Sequence, residues 1–145
     1  MAATSQVAVV RAAVKAALAT RLSGVTVRSF EPGADDITSP SLWLGDARGR
    51  QDWDSQSTMD DEFDLPVMAY CSRPGDGDTA AAAAETAALV LMAQVEDYCS
   101  DSRTLTGTAL VAHLTDYDIV NTAAPGERRC TITMTLHIRS ELVPA

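Results

Sequence analysis

Large aromatic side chains are nearly missing from this sequence. Phe, Tyr and Trp together make up 5% of its 145 residues. Apolar residues still reach 46%, but much of that share is alanine, which packs closely and buries little area per residue. A modest core is expected, with part of the stability supplied by a partner subunit. Basic charge is scarce too: 11 Lys and Arg against 20 Asp and Glu leave a formal charge of −9. Grip on nucleic-acid phosphates comes from Lys and Arg, so the balance argues against a nucleic-acid-binding domain, and an anionic membrane would repel it.

Other absences narrow the chemistry. The three cysteines, Cys71, Cys99 and Cys130, form no CxxC pair, which removes zinc-knuckle and thioredoxin readings. Buried, reduced thiols of a cytosolic protein are expected. No apolar run approaches membrane-spanning length. Arg11 interrupts the apolar N-terminal stretch, so no signal peptide is expected. There is no P-loop, no GxGxxG and no GxSxG. The only histidines, His113 and His137, lie in predicted strands that could bring them together, but HxH or HExxH spacing is missing and solvent-facing positions are expected. The acidic run Asp60, Asp61, Glu62 and Asp64 has no basic or nucleophilic neighbour in the sequence and reads as a solvated face. Asp76-Gly77-Asp78 begins like a calcium loop, yet Ala87 stands where its last Glu belongs. Asp78 reads better as a helix N-cap. No catalytic residues, cofactor or metal are expected.

What is present is pattern. Cys130, Ile132, Met134, Leu136 and Ile138 alternate with Thr131, Thr133, Thr135, His137 and Arg139. Strand side chains alternate between faces, so this segment has one apolar and one polar face and belongs to a one-sided antiparallel sheet. Val7, Val10, Val14, Ala17, Leu18 and Leu22 recur at helical spacing, with Arg11, Lys15 and Arg21 off the stripe. They predict a helix over Ser5 to Ser23, capped by Thr4 or Ser5. Strands are predicted at Val25 to Phe30, Ser41 to Leu44 and Glu62 to Cys71. In the last of these Phe63, Leu65, Val67, Ala69 and Cys71 share a face, and Pro66 implies an edge strand or a bulge. A second helix runs from Asp78 or Thr79 to about Cys99, with the stripe Ala81, Ala84, Ala88, Met92, Val95 and Cys99 widened by Leu89, Leu91 and Tyr98. Thr104 to Val120 is β-rich, with a bend at Gly107. Pro125-Gly126 turns the chain into the final strand.

The expected fold is one α+β domain over residues 1–145: two helices on one face of a mostly antiparallel sheet, with a long polar hairpin loop. That loop, Gly45 to Asp60, holds Arg48, Arg50 and Trp53, residue types enriched at protein interfaces. A loose loop with Trp53 tucked onto its own domain is the equally weighted alternative.

Element order and local texture together resemble the tail terminator (tail completion, minor tail) proteins of long-tailed bacteriophages. The resemblance runs through the N-terminal helix, the strand Val25 to Phe30, the polar region Gly45 to Asp60 and the acidic-to-apolar strand from Asp61 to Val67. It continues through the Ala- and Glu-containing helix Thr79 to Cys99, the Thr-Gly strand start Leu105 to Thr108, and the alternating strand Thr131 to Arg139. It covers nearly all of the chain, and none of its parts is a diagnostic motif. It implies a homo-oligomeric, hexameric ring at the head–tail neck of a virion, assembled in the host cytoplasm. Such a ring caps the tail tube and ends its growth. Its partners are the tail-tube protein and the head connector or head-completion protein, and DNA passes through without specific binding. Asp46, Asp52 and Asp54 are candidate channel-facing acids. Arg48, Arg50, Trp53, His137 and Arg139 are candidate interface residues. A head-completion protein, a tail-tube subunit, and a small enzyme with a dispersed site around His113 stay open as alternatives.

Overall fold

The alternating segment at the C-terminal end builds the middle of the sheet. The computed structural model describes residues 5–33, 37–53, 59–105 and 111–142, with the backbone alone at 52, 53, 59, 141 and 142. In chain order the elements are α1 (Val7–Arg21), β1 (Thr26–Arg28), β2 (Ser41–Leu44), β3 (Arg48–Trp53), β4 (Met59–Pro74), α2 (Asp78–Asp101), β5 (Val111–Ala124) and β6 (Glu127–Leu142). Among the described residues the strands form one six-stranded sheet in the order β1-β2-β4-β6-β5, with β3 also paired to β4. Among the described strand pairs only β1 and β2 run parallel. The fold is α+β, with a mostly antiparallel sheet, as the sequence pattern implies.

Alternation decides which face is covered. Phe63, Leu65, Val67, Ala69 and Cys71 of β4 and Cys130, Ile132, Met134, Leu136 and Ile138 of β6 are all buried. They join one cluster with Val10, Val14 and Leu18 of α1 and Ala84, Ala88, Leu91 and Val95 of α2. Both helices therefore lie on the same face. Ala84 and Ala88 let α2 approach the sheet closely, at the expense of area buried per residue. The strands are unusually long: 16 residues in β4 and in β6 span about 50 Å. The 24 residues of α2 span about 36 Å. One helix cannot cover such a sheet, and α1 covers the remainder.

Several expectations need correction. The long polar segment contains a strand: β3 runs antiparallel to the start of β4, from Arg48 opposite Asp64 to Trp53 opposite Met59. Polar composition hid it, because one face of this arm meets no core. β4 is central, between β2 or β3 on one side and β6 on the other, despite Pro66. Gly45 N–H donates to the Pro66 carbonyl at 2.8 Å. The N and C=O of one strand residue point to the same side, so the missing N–H of Pro66 falls where its neighbour changes from β2 to β3. Arg11, expected off the apolar stripe, is only 8% exposed. It donates to the Ser29 carbonyl at 2.7 Å and lies over the Phe30 ring at 4.5 Å. Phe30 itself lies beyond β1 and is exposed. Leu89, expected on the buried stripe of α2, is also exposed. α2 takes Gly77 as N-cap, with Asp78 in its first turn. The first helix takes Gln6 as N-cap, while the Ser5 hydroxyl accepts from the Val7 N–H at 3.3 Å; Thr4 lies outside the described residues. Thr104 and Leu105 stand outside β5, which is described from Val111 on; the bend expected at Gly107 lies outside the described residues. Gly126 closes the β5–β6 hairpin with φ +74°, a conformation glycine adopts without steric penalty.

Candidate interaction surface

Neither α1 nor α2 covers the outer face of the sheet, and its described residues sort into two ends. At one end the acidic run meets basic partners that are distant in sequence. Asp60 accepts from Arg139 Nη2 at 2.8 Å and Nε at 3.2 Å. Asp64 is 2.8 Å from His137 Nδ1. Glu62 lies 4.0 Å from Arg50. His113 is in register with His137, their ring centroids 5.5 Å apart. Among the described residues, no three His, Cys, Asp or Glu side chains converge as a metal site. A shallow cavity of about 280 Å³ opens here, lined by Arg48, Gly49, Arg50, Glu62, Phe63, Asp64 and His137.

The other end carries aromatic side chains beside Arg28 and Arg129. Trp43 of β2 is in register with Met68 and packs against Tyr70 at a centroid distance of 6.1 Å. Trp43 is buried although it faces away from the helices. Between the two ends stand the half-buried threonines 131, 133 and 135 of β6.

The acidic run is not uniformly solvated. Asp61 alternates away from Asp60 and Glu62, and is 3% exposed. It accepts from the Ser5 hydroxyl and from the Gln6 backbone N–H, both at 2.8 Å. The carboxylate thus anchors the start of α1, where orphan N–H groups and the helix dipole favour negative charge. Sequence spacing gave no sign of this, because the partners are 55 and 56 residues away.

The structure brings Arg48, Arg50, His137 and Arg139 together on this outer face and does not gather all of the acidic candidates. Asp46 is exposed in the β2–β3 connection. Its charge supports ionisation of Arg11, whose pKa is lowered chiefly by burial. Asp52 is in register with Asp60, and Trp53 with Met59. Asp54 lies outside the described residues. Gly49 fixes the closeness of the β3–β4 arm: a Cβ there would stand 2.3 Å from the Glu62 carbonyl and 2.4 Å from Phe63 Cβ.

The three cysteines are buried and unpaired. Burial pushes the thiols of Cys99 and Cys130 up to about 11, and that of Cys71 upward. They are poor nucleophiles in this state.

No family model matches the chain, and no curated relative does. A solved chain from the virion of a native gene transfer agent (GTA) particle is similar in fold, with a TM-score of 0.54 at 16% identity over 90% of this chain and 94% of that chain.

Proposed function

We propose that this chain is a structural virion protein, and more narrowly that it caps a phage tail tube as a ring, ending tube growth and offering the head a joining surface. The carrying observation is the outer face left uncovered by α1 and α2, where Arg139 pairs with Asp60 and His137 is hydrogen-bonded to Asp64 beside a row of threonines. Such a face offers charged and hydroxyl side chains for subunit contact. The fold likeness to a chain of a GTA virion supports the coarser statement. The net charge of −9 suits a ring through which DNA passes without sticking.

In this reading Arg48, Arg50, Trp53, His137 and Arg139 contribute to subunit or tube contacts, and the partners are other copies, the tail-tube protein and a head connector or head-completion protein. The chain works without catalysis, metal or cofactor, in the neck of the virion. The test is tail-tube assembly with and without the chain, imaged by negative stain. Tubes should stop at defined lengths, each with a ring at one end. Unchanged tube lengths and bare tube ends would overturn the capping role. Tubes built from this chain alone would identify it as a tube subunit instead.

A further inference from the structure

The sheet ends on two edges of opposite charge. We propose that β5 of one copy pairs with β3 of the next, continuing the sheet from subunit to subunit. β5 is a terminal strand, and most of its residues are exposed. Terminal strands carry unpaired N–H and C=O groups that template another strand. The formal charges of β5 are Asp116 and Asp118, in register with Thr135 and Thr133, so both stand on the outer face. On the opposite side of the sheet, β3 pairs with β4 and with no other described strand. Its Arg48 and Arg50 are exposed on that same outer face, opposite Asp64 and Glu62.

Direction follows from the topology. β3 is antiparallel to β4, while β4 and β5 are each antiparallel to β6. Copies repeated in one orientation therefore meet as an antiparallel pair, the stronger ladder. A register with Gly49 opposite Tyr117 sets Arg48 against Asp118 and Arg50 against Asp116. Both are opposite-charge cross-strand pairs on one face. The same register gives Tyr117, 58% exposed in the isolated chain, a neighbour with no side chain to obstruct it.

Self-pairing of the β5 edge fails on charge: two β5 strands paired about Tyr117 would set Asp116 against Asp118. β3 carries Asp52 besides Arg48 and Arg50, so its net charge is positive but it holds both signs. The acidic β5 edge rejects a copy of itself and accepts β3, which favours a head-to-tail contact over a symmetric dimer built on β5. The proposal rests on the ring reading above for the closure of that contact.

The test is charge exchange, read by native mass measurement and sedimentation. Asp116→Arg with Asp118→Arg, or Arg48→Asp with Arg50→Asp, should weaken self-association by about tenfold or more. An equal mixture of the two double variants should recover assembly, as should all four changes in one chain. Hydrogen exchange on the unaltered chain gives an independent reading: the amides among Asp116 to Asp118 that point away from β6 should gain protection as concentration rises. Undiminished oligomers in the double variants, a mixture that fails to recover, unchanged protection, or a wild-type chain still monomeric at millimolar concentration overturns the proposal. Tube capping is scored separately. Edge pairing with no effect on tubes would reject the capping role alone, and capping that survives the reversals would reject the edge contact alone.

Discussion

Asp61→Ala tests the most unusual anchor in the molecule. The carboxylate is 3% exposed and accepts two 2.8 Å hydrogen bonds, one from the Ser5 hydroxyl and one from the Gln6 N–H. Hydrogen bonds to a charged group contribute roughly 1.5–3 kcal/mol each, and the two share one acceptor, so they do not add fully. The substitution also strands the Gln6 N–H and removes a favourable charge at a helix N-terminus. The expected loss is about 3 kcal/mol, which for a chain of this size lowers the midpoint of thermal unfolding by about 9 °C. Asp61→Asn keeps an acceptor of similar shape and loses the charge, so about 1 kcal/mol is expected. Ser5→Ala should cost a similar amount, and a double-mutant cycle with Asp61→Ala should return a coupling of about 1 kcal/mol. Urea unfolding at fixed protein concentration measures all three, since self-association would make stability concentration-dependent. Hydrogen exchange should show the loss concentrated in the first turn of α1, including the Val10 N–H that donates to the Gln6 carbonyl. An Asp61→Ala chain within about 0.5 kcal/mol of wild type, the range of ordinary surface changes, would refute the anchoring argument.

Three further outcomes are expected. Gly49→Ala should force β3 away from β4, because the added Cβ meets backbone at 2.3 Å; a loss of about 2 kcal/mol is expected in urea unfolding, and wild-type stability would disprove the close approach. Arg139→Ala leaves Asp60, whose side chain is 18% exposed, short of a partner; about 1 kcal/mol is expected after solvent screening, and no change in the urea midpoint would count against the pair. Alkaline pH should destabilise the fold: thiols held near 11 in the folded state ionise earlier when unfolded, so the unfolded chain loses protons first and stability falls as pH rises from about 9 to about 11. Combining Cys99→Ala with Cys130→Ala should flatten that slope, and an unchanged slope would assign it to other groups.

The inner face was legible in the sequence because one rule governs it. Alternation from Cys130 to Ile138, and from Phe63 to Cys71, maps directly onto burial, and helical spacing placed Val10, Val14, Leu18, Ala84, Ala88 and Val95 correctly. The outer face obeys no such rule. Asp60, Asp61 and Asp64 look alike in sequence, yet one binds Arg139, one anchors α1 and one binds His137. Those differences come from partners more than 50 residues away, which a local pattern cannot carry. β3 escaped notice because Arg-Gly-Arg-Gln-Asp has low strand propensity; its hydrogen bonds to β4 hold it in place. Pro66 misled in the opposite direction, since a strand can be central where its neighbour is broken at the proline.

The division between faces has a physical consequence. Stability resides in the inner cluster, and the outer face and the two sheet edges carry residues that the core does not need. Asp116, Asp118, Arg48 and Arg50 are exposed, and Arg50 lies 4.0 Å from Glu62. Reversing their charges should move the unfolding midpoint little, because surface changes usually stay within about 0.5 kcal/mol. Their effect on assembly should be large, because four charges act together at one contact. Val67→Ala or Leu136→Ala should do the reverse, lowering stability by about 2–4 kcal/mol through the cavity left in the core while leaving edge chemistry intact in whatever fraction stays folded. Measured side by side, unfolding midpoints and oligomer masses should therefore separate the two groups of variants. A reversal at β3 or β5 that unfolds the chain as readily as Leu136→Ala would mean that these edges serve the fold of the single chain rather than its assembly.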